Sequence, residues 1–216
     1  MERSINTESW LLYSKMKYKL YTVGHSTQEF ESFLNLLRQH EIKAVADVRS
    51  GPYSQRFPWF NRERLRDGLG AHGIQYVFLG EELGARRDEP CCYVGTRADY
   101  DLISQTPLFK EGLNRIEQGL ANMRISLMCA EKDPIDCHRT ILVARHAQAF
   151  TEVKHILNDG RLETHSELEE RLMRRMGLSD NDLFLSRESQ LALAYKRRGE
   201  EIAYRKNEEE AVQHEH

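Results

Sequence analysis

Short apolar runs alternate with amphipathic stretches from residue 19 to residue 160, and this alternation constrains the chain more than any other feature. "KLYTVG" (19–24), "KAVADV" (43–48), "IQYVFLG" (74–80), "RISLMCA" (124–130) and "EVKHIL" (152–157) are rich in aliphatic, aromatic and β-branched residues and read as strands. The segments between them carry helical spacing. Phe30, Phe33, Leu34 and Leu37 share one face after the first run, and "PLFKEGLNRIEQGLAN" precedes the fourth with Pro107 in its first turn. Asp133-Pro134 predicts the start of a further helix, with Ile141, Leu142 and Ala149 on one face. A strand–helix–strand unit is a crossover, and crossovers pair strands in parallel. The expected fold is α/β, a mainly parallel sheet of about five strands with helices packed on it. Strands this uniformly apolar fit a sheet covered on both faces. Periodicity allows both an open sheet and an irregular barrel.

A chain of 216 residues can bury a substantial core. The pattern divides it into an N-terminal extension (1–18), an α/β domain (19–160) and a charged helical C-terminal extension (161–216) that includes "HSELEERLMRRMG". Residues 81–101 have no clear period and are expected to form a long irregular loop. A formal charge of -3 gives no general pull toward nucleic acid or anionic lipid. No apolar run approaches the roughly 18 residues needed to span a membrane, so no membrane partner is expected. The first twenty residues lack a signal-peptide pattern, and four cysteines without framework spacing fit a reducing, cytoplasmic setting.

Polar residues gather directly after the strands: Gly24, His25 and Ser26; Asp47, Arg49 and Ser50; Glu81 and Glu82; and "CAE…CHR", which holds Cys129, Glu131, Cys137, His138 and Arg139. In a parallel sheet all carboxyl ends of strands face one edge, where ligands bind, so these distant clusters are expected to converge in one crevice. Cys129 and Glu131 are two apart and face the same way in an extended strand. Glu131 suits a general acid or base, and Cys137, placed in the first turns of a helix beside His138 and Arg139, suits a thiolate. Arg49 and Arg139 offer planar donor forks for an anion. Ser26, placed near a helix start, would add free backbone N–H groups. A structural Arg49–Asp47 or Arg49–Glu82 pair is the competing use. The expected catalytic set is thus Cys129, Glu131, Cys137 and His138, and the expected substrate-binding set is His25, Ser26, Asp47, Arg49 and Arg139.

The arginine spacing of phosphatase and rhodanese loops is absent: the sixth and fifth positions after Cys129 are Ile135 and Pro134. Instead, "TVGHS" (22–26), "DVRSGPYS" (47–54), Phe60-Asn61, "YVFLGEELG" (76–84), "LMCAE" (127–131), "CHR" (137–139) and "HILNDG" (155–160) stand in the order found in the DUF488 family, which the chain resembles over about 21–160. The resemblance implies an α/β fold and one shared polar site, and it leaves the activity open. The family's glycine-rich "LGG" stands here as "LGARRDEP" (83–90).

Three functions are therefore compatible with the residues. The leading one is a hydrolase or transferase for an anionic small molecule or nucleotide-like substrate, with no cofactor and no assigned metal ligands. The second is a nucleic-acid-associated protein. The third is a zinc-dependent protein using Cys129, Cys137, His138 and His25, although adjacent residues such as Cys137 and His138 seldom ligate one ion.

Overall fold

The computed structural model describes residues 18–178 and 185–207; the expected N-terminal extension, apart from Tyr18, lies outside them. A six-stranded sheet forms the centre. Its strands are β1 (Lys19–Gly24), β2 (Ala44–Asp47), β3 (Gln75–Phe78), β6 (Ile125–Cys129), β7 (Glu152–Ile156) and β8 (Leu162–Thr164). They lie in the order β3-β2-β6-β1-β7-β8, with β8 alone antiparallel. The two ends of this order stay unjoined, so the sheet is open. All five expected strands are present, and β8 adds a short edge beyond β7.

Helices cover both faces. α1 (Phe30–Gln39) and α2 (Arg62–Gly70) bury Phe33, Leu34, Leu37, Leu65 and Leu69 against Val23, Val45 and Met128 on one face. The other face, with Leu20, Ala46 and Leu127, meets α5 (Pro107–Leu120), α7 (His165–Arg175) and α8 (Arg187–Ile202). Leu168, Leu172, Met173, Ala194 and Tyr195 belong to that same cluster, so the two C-terminal helices share the core of the sheet. β6, covered on both sides, is buried along its whole length.

Local signals place the helix starts. Thr106 caps α5 by accepting from the Phe109 N–H at 3.2 Å, with Pro107 at the first position. Thr164 and Glu167 form a reciprocal capping box on α7. The expected loop at 81–101 is partly ordered: it contains α3 (Gly80–Leu83), a hairpin of β4 (Tyr93–Val94) and β5 (Arg97–Ala98), and leads into α4 (Tyr100–Gln105).

Two expectations near the crevice change. α1 starts at Phe30, and Ser26 sits before it with φ 50°, its N–H donating to the Ala130 carbonyl. That N–H is therefore spent in joining β1 to the β6 loop and is no helix-terminal donor. After β6 the chain makes a 3-10 turn (Pro134–Asp136), then a π-helix (Arg139–Ala144), then one turn, α6 (Arg145–Ala147). Cys137 precedes the helix in extended conformation, with φ -137° and ψ 137°.

Candidate functional site

The carboxyl ends of β1, β2 and β6 lie side by side. Gly24 is opposite Cys129, and Asp47 is opposite Met128. Their loops stay joined beyond the strands, since the N–H groups of His25 and Val48 donate to the carbonyls of Cys129 and Met128. The connection leaving β2 runs toward β3 and the one leaving β6 runs toward β7, so the site lies where crossovers diverge. Gly24 permits the close approach: a methyl group there would overlap the Glu131 carbonyl oxygen.

At this edge the sequence clusters converge into two linked constellations. In the first, both Cys129 Sγ and Cys137 Sγ donate to Oε2 of Glu131, at 3.0 and 2.9 Å. Glu131 is exposed toward solvent as a residue, but this oxygen turns inward onto the thiols. His138 Nε2 donates to the Val48 carbonyl at 2.8 Å, which leaves Nδ1 facing Cys129 Sγ at 3.7 Å. Burial and the neighbouring Cys137 push the Cys129 thiol well up. Burial acts the same way on Cys137, opposed there by the Arg139 charge and by His138. Burial, the largest influence, raises the Glu131 carboxyl.

The second constellation is centred on Arg49. Its Nε and one terminal nitrogen grip Asp47 at 2.9 and 2.6 Å, that nitrogen also reaches the Phe60 carbonyl at 2.8 Å, and the other caps His25 Nε2 at 3.3 Å. Tyr76 OH donates to Asp47 at 2.8 Å. His25 donates through Nδ1 to the Ser26 carbonyl and stacks on Phe60, ring centroids 4.2 Å apart. Burial, then the Arg49 charge, lower its pKa to about 4, so the ring is neutral.

A cleft of about 400 Å³ opens over Cys129, Glu131 and His138, with Arg49, Arg86 and Tyr204 among its walls. An adjoining hollow runs over His25, Ser26 and Lys132, sharing Arg49 and Glu131 with the first.

With this geometry in view, the comparison with known families is decisive: the model of DUF488, a domain of unknown function, matches residues 29–146, more than half of the chain. The chain belongs to the DUF488 family. No curated protein and no solved structure matches it. The DUF488 match includes Asp47, Arg49, Cys129, Glu131, Cys137, His138 and Arg139, whereas His25 and Ser26 precede it.

Within this DUF488 chain most of the expected residues meet, with three differences. Arg139 is fully buried and lies behind the cleft, donating to the carbonyls of Glu131 and Lys132 at 2.8 and 3.5 Å. It holds the loop that carries Glu131 instead of facing a ligand. Arg49 takes the competing use, as the partner of Asp47, while still lining the cleft. Glu82 turns away to an ion pair with Arg115. Sequence reasoning missed Arg86, Tyr204, Tyr76 and the ring of Phe60. The last two stand inside "YVFLGEELG" and Phe60-Asn61, so position within those motifs was the available signal.

Proposed function

We propose that this DUF488 protein is an enzyme, a hydrolase or transferase for a small anionic or nucleotide-like substrate, working in the cytoplasm. One observation carries the reading: a single carboxylate oxygen takes hydrogen bonds from two thiols at the floor of a cleft. Such a carboxylate is placed to move a proton at a reacting bond above it. Cys129 and His138 complete the floor, and Cys137 lies buried beneath it. Arg49 and the neutral His25 shape the adjoining wall, and Ser26 and Asp47 fix them in place. Arg86 and Lys132, both exposed at the rims, supply positive charge for an anionic group. No helix among the described residues is long and apolar enough to cross a membrane. A backbone-tracking groove for nucleic acid needs a run of cations, and of the three basic side chains here Arg49 is already paired.

A panel of phosphate esters, nucleotides and nucleosides tests the reading. Wild type is expected to turn over one class, and Glu131→Gln to lower kcat by about 10²–10⁴ with an unchanged fold. Absence of turnover and of saturable binding across the panel, together with salt-dependent capture of an oligonucleotide, would transfer the site to the nucleic-acid reading.

A further inference from the structure

The floor of the cleft has the donor set and spacing of a metal centre. The Sγ atoms of Cys129 and Cys137 and a ring nitrogen of His138 all lie within 4.8 Å of one another. Zinc–sulfur and zinc–nitrogen bonds of about 2.3 and 2.0 Å at tetrahedral angles separate two such ligands by about 3.6 Å. The Cys129 Sγ to His138 Nδ1 separation is 3.7 Å. We propose that Cys129, Cys137 and His138 bind one divalent transition-metal ion of the zinc class, leaving a fourth position open toward Glu131 and the cleft. This rests on the reading of the cleft as an active site and names its cofactor.

Four features of the chain support it. First, consecutive residues can ligate together here because the backbone changes direction between them. Cys137 is extended, while His138 has φ -61° and ψ -26°. That break swings neighbouring side chains to one side, which a continuous helix would prevent. Second, the His138 ring is already oriented as metal-binding imidazoles are, its far N–H held by the Val48 carbonyl and its near nitrogen turned to the sulfurs. Third, Cys137 is 1% exposed and does not line the cleft, a poor position for attack on a substrate and a good one for a ligand. Its sulfur accepts the Arg139 N–H at 3.4 Å, the kind of outer contact that steadies a thiolate ligand. Fourth, the fully buried Arg139 guanidinium forms no ion pair with a carboxylate among the described residues. A pair of thiolates beside it supplies the missing negative charge.

The same geometry assigns Glu131 its part. Its Oε2 now takes the thiol hydrogens. On ligation those protons leave for solvent, and the carboxylate faces the open position. Two cysteines and a histidine beside a non-ligating glutamate are the set with which zinc deaminases activate water. In the corresponding step Glu131 takes one proton from the bound water. The hydroxide adds to the electrophilic atom of the substrate, and Glu131 returns the proton to the leaving group as its bond breaks. Water is consumed, and nothing is oxidised or reduced.

The test is a titration of the full-length chain, reduced and stripped with a chelator, against Co²⁺. Thiolate-to-cobalt charge-transfer absorption is expected to rise linearly and stop at one equivalent. It should fall by about half in Cys129→Ser and in Cys137→Ser. His138→Gln, altering a partly exposed side chain, should weaken Co²⁺ binding more than about tenfold even where a serine variant fails to fold. Glu131→Gln should bind one equivalent as wild type does. A folded, reduced wild-type chain that shows no charge-transfer band in excess Co²⁺, or a band indifferent to His138→Gln, overturns the metal site. Turnover by metal-free protein overturns it as well, while leaving the enzyme reading intact. One equivalent of bound cobalt without turnover on any substrate removes the enzyme reading and keeps the site.

Discussion

His155, His165 and Tyr195 lie as deep in the molecule as Cys129 and Cys137, yet the two groups are satisfied in different ways. In the first, Thr22 Oγ1 donates to His155 Nδ1 at 2.8 Å, and His155 Nε2 donates to His165 Nδ1 at 3.0 Å. His165 Nε2 donates to Tyr195 at 2.8 Å, and the Tyr195 hydroxyl donates to Glu169 at 2.9 Å. The tyrosine's one hydrogen goes to the carboxylate, which fixes both tautomers and makes every link a single donor on a single acceptor. In the second, two thiols share one oxygen, and His138 Nδ1 has a sulfur 3.7 Å away as its neighbour. A closed network specifies a packed interior. One with unspent capacity at the mouth of a cleft is placed to receive something else.

The sharpest way to break this comparison is one substitution in each region. His165→Leu strands the His155 N–H and removes the donor to Tyr195. It is expected to cost about 2–5 kcal/mol, read as a lower urea midpoint at unchanged slope, while the cleft keeps its chemistry. Glu131→Gln should do the reverse, lowering kcat by about 10²–10⁴ and leaving the midpoint where it was. Equal shifts of midpoint in the two variants would mean that both clusters are structural.

Acid sharpens the same contrast. Burial lowers the His165 pKa to about 4, and burial followed by the charges of His165 and Arg139 lowers that of His155 as well. The unfolded chain takes up these protons near pH 6.5, whereas the folded chain resists them. Between pH 6.5 and 4 the unfolded state therefore binds more protons. Stability is full above that window and is lost as pH falls through it, by about 3 kcal/mol for His165 alone. Denaturation midpoints at pH 7 and pH 4.5 measure the loss. His165→Gln, which keeps a donor and an acceptor without titrating, should remove that share of it. An unchanged pH slope in this variant would place the acid sensitivity elsewhere.

The two regions also differ in how far they could be read from the sequence. Five strands were legible because each is a short run rich in aliphatic, aromatic and β-branched residues, although only β2 and β6 are buried throughout. The site was legible because its polar residues follow those strands directly. The chain from Thr22 to Tyr195 was not, since its members come from β1, β7, α7 and α8, and no local pattern marks a histidine as the partner of another element. β8 and the β4–β5 hairpin are short and gain their order from what they pack on. Adjacent residues such as Cys137 and His138 seldom ligate one ion, and Cys137 was expected in the first turns of a helix. A turn pinned by tertiary contacts holds it extended instead.

Those contacts come from the C-terminal helices and give the comparison its smallest but most specific test. Between Glu131 and Cys137 the chain turns through Asp133 and Asp136. Arg171 of α7 grips both oxygens of Asp133 at 3.0 and 2.8 Å and both of Glu163 at 2.8 Å. Arg198 of α8 reaches the Ile135 carbonyl at 3.2 Å and pairs with Asp136. α7 and α8 thus hold the turn that spaces the carboxylate from the second thiol, although they lie beyond the matched part of the chain. Arg171 is partly exposed, so Arg171→Ala should lower stability by only about 1 kcal/mol. Turnover should fall further, by about tenfold, because a reacting group displaced by a fraction of an ångström loses its alignment. Arg171→Lys keeps the charge without the planar fork that bridges two carboxylates, and it should recover stability more than rate. A kcat that follows stability in both variants would reduce these helices to a cover over the core. A kcat that falls while the fold stands makes them part of the site.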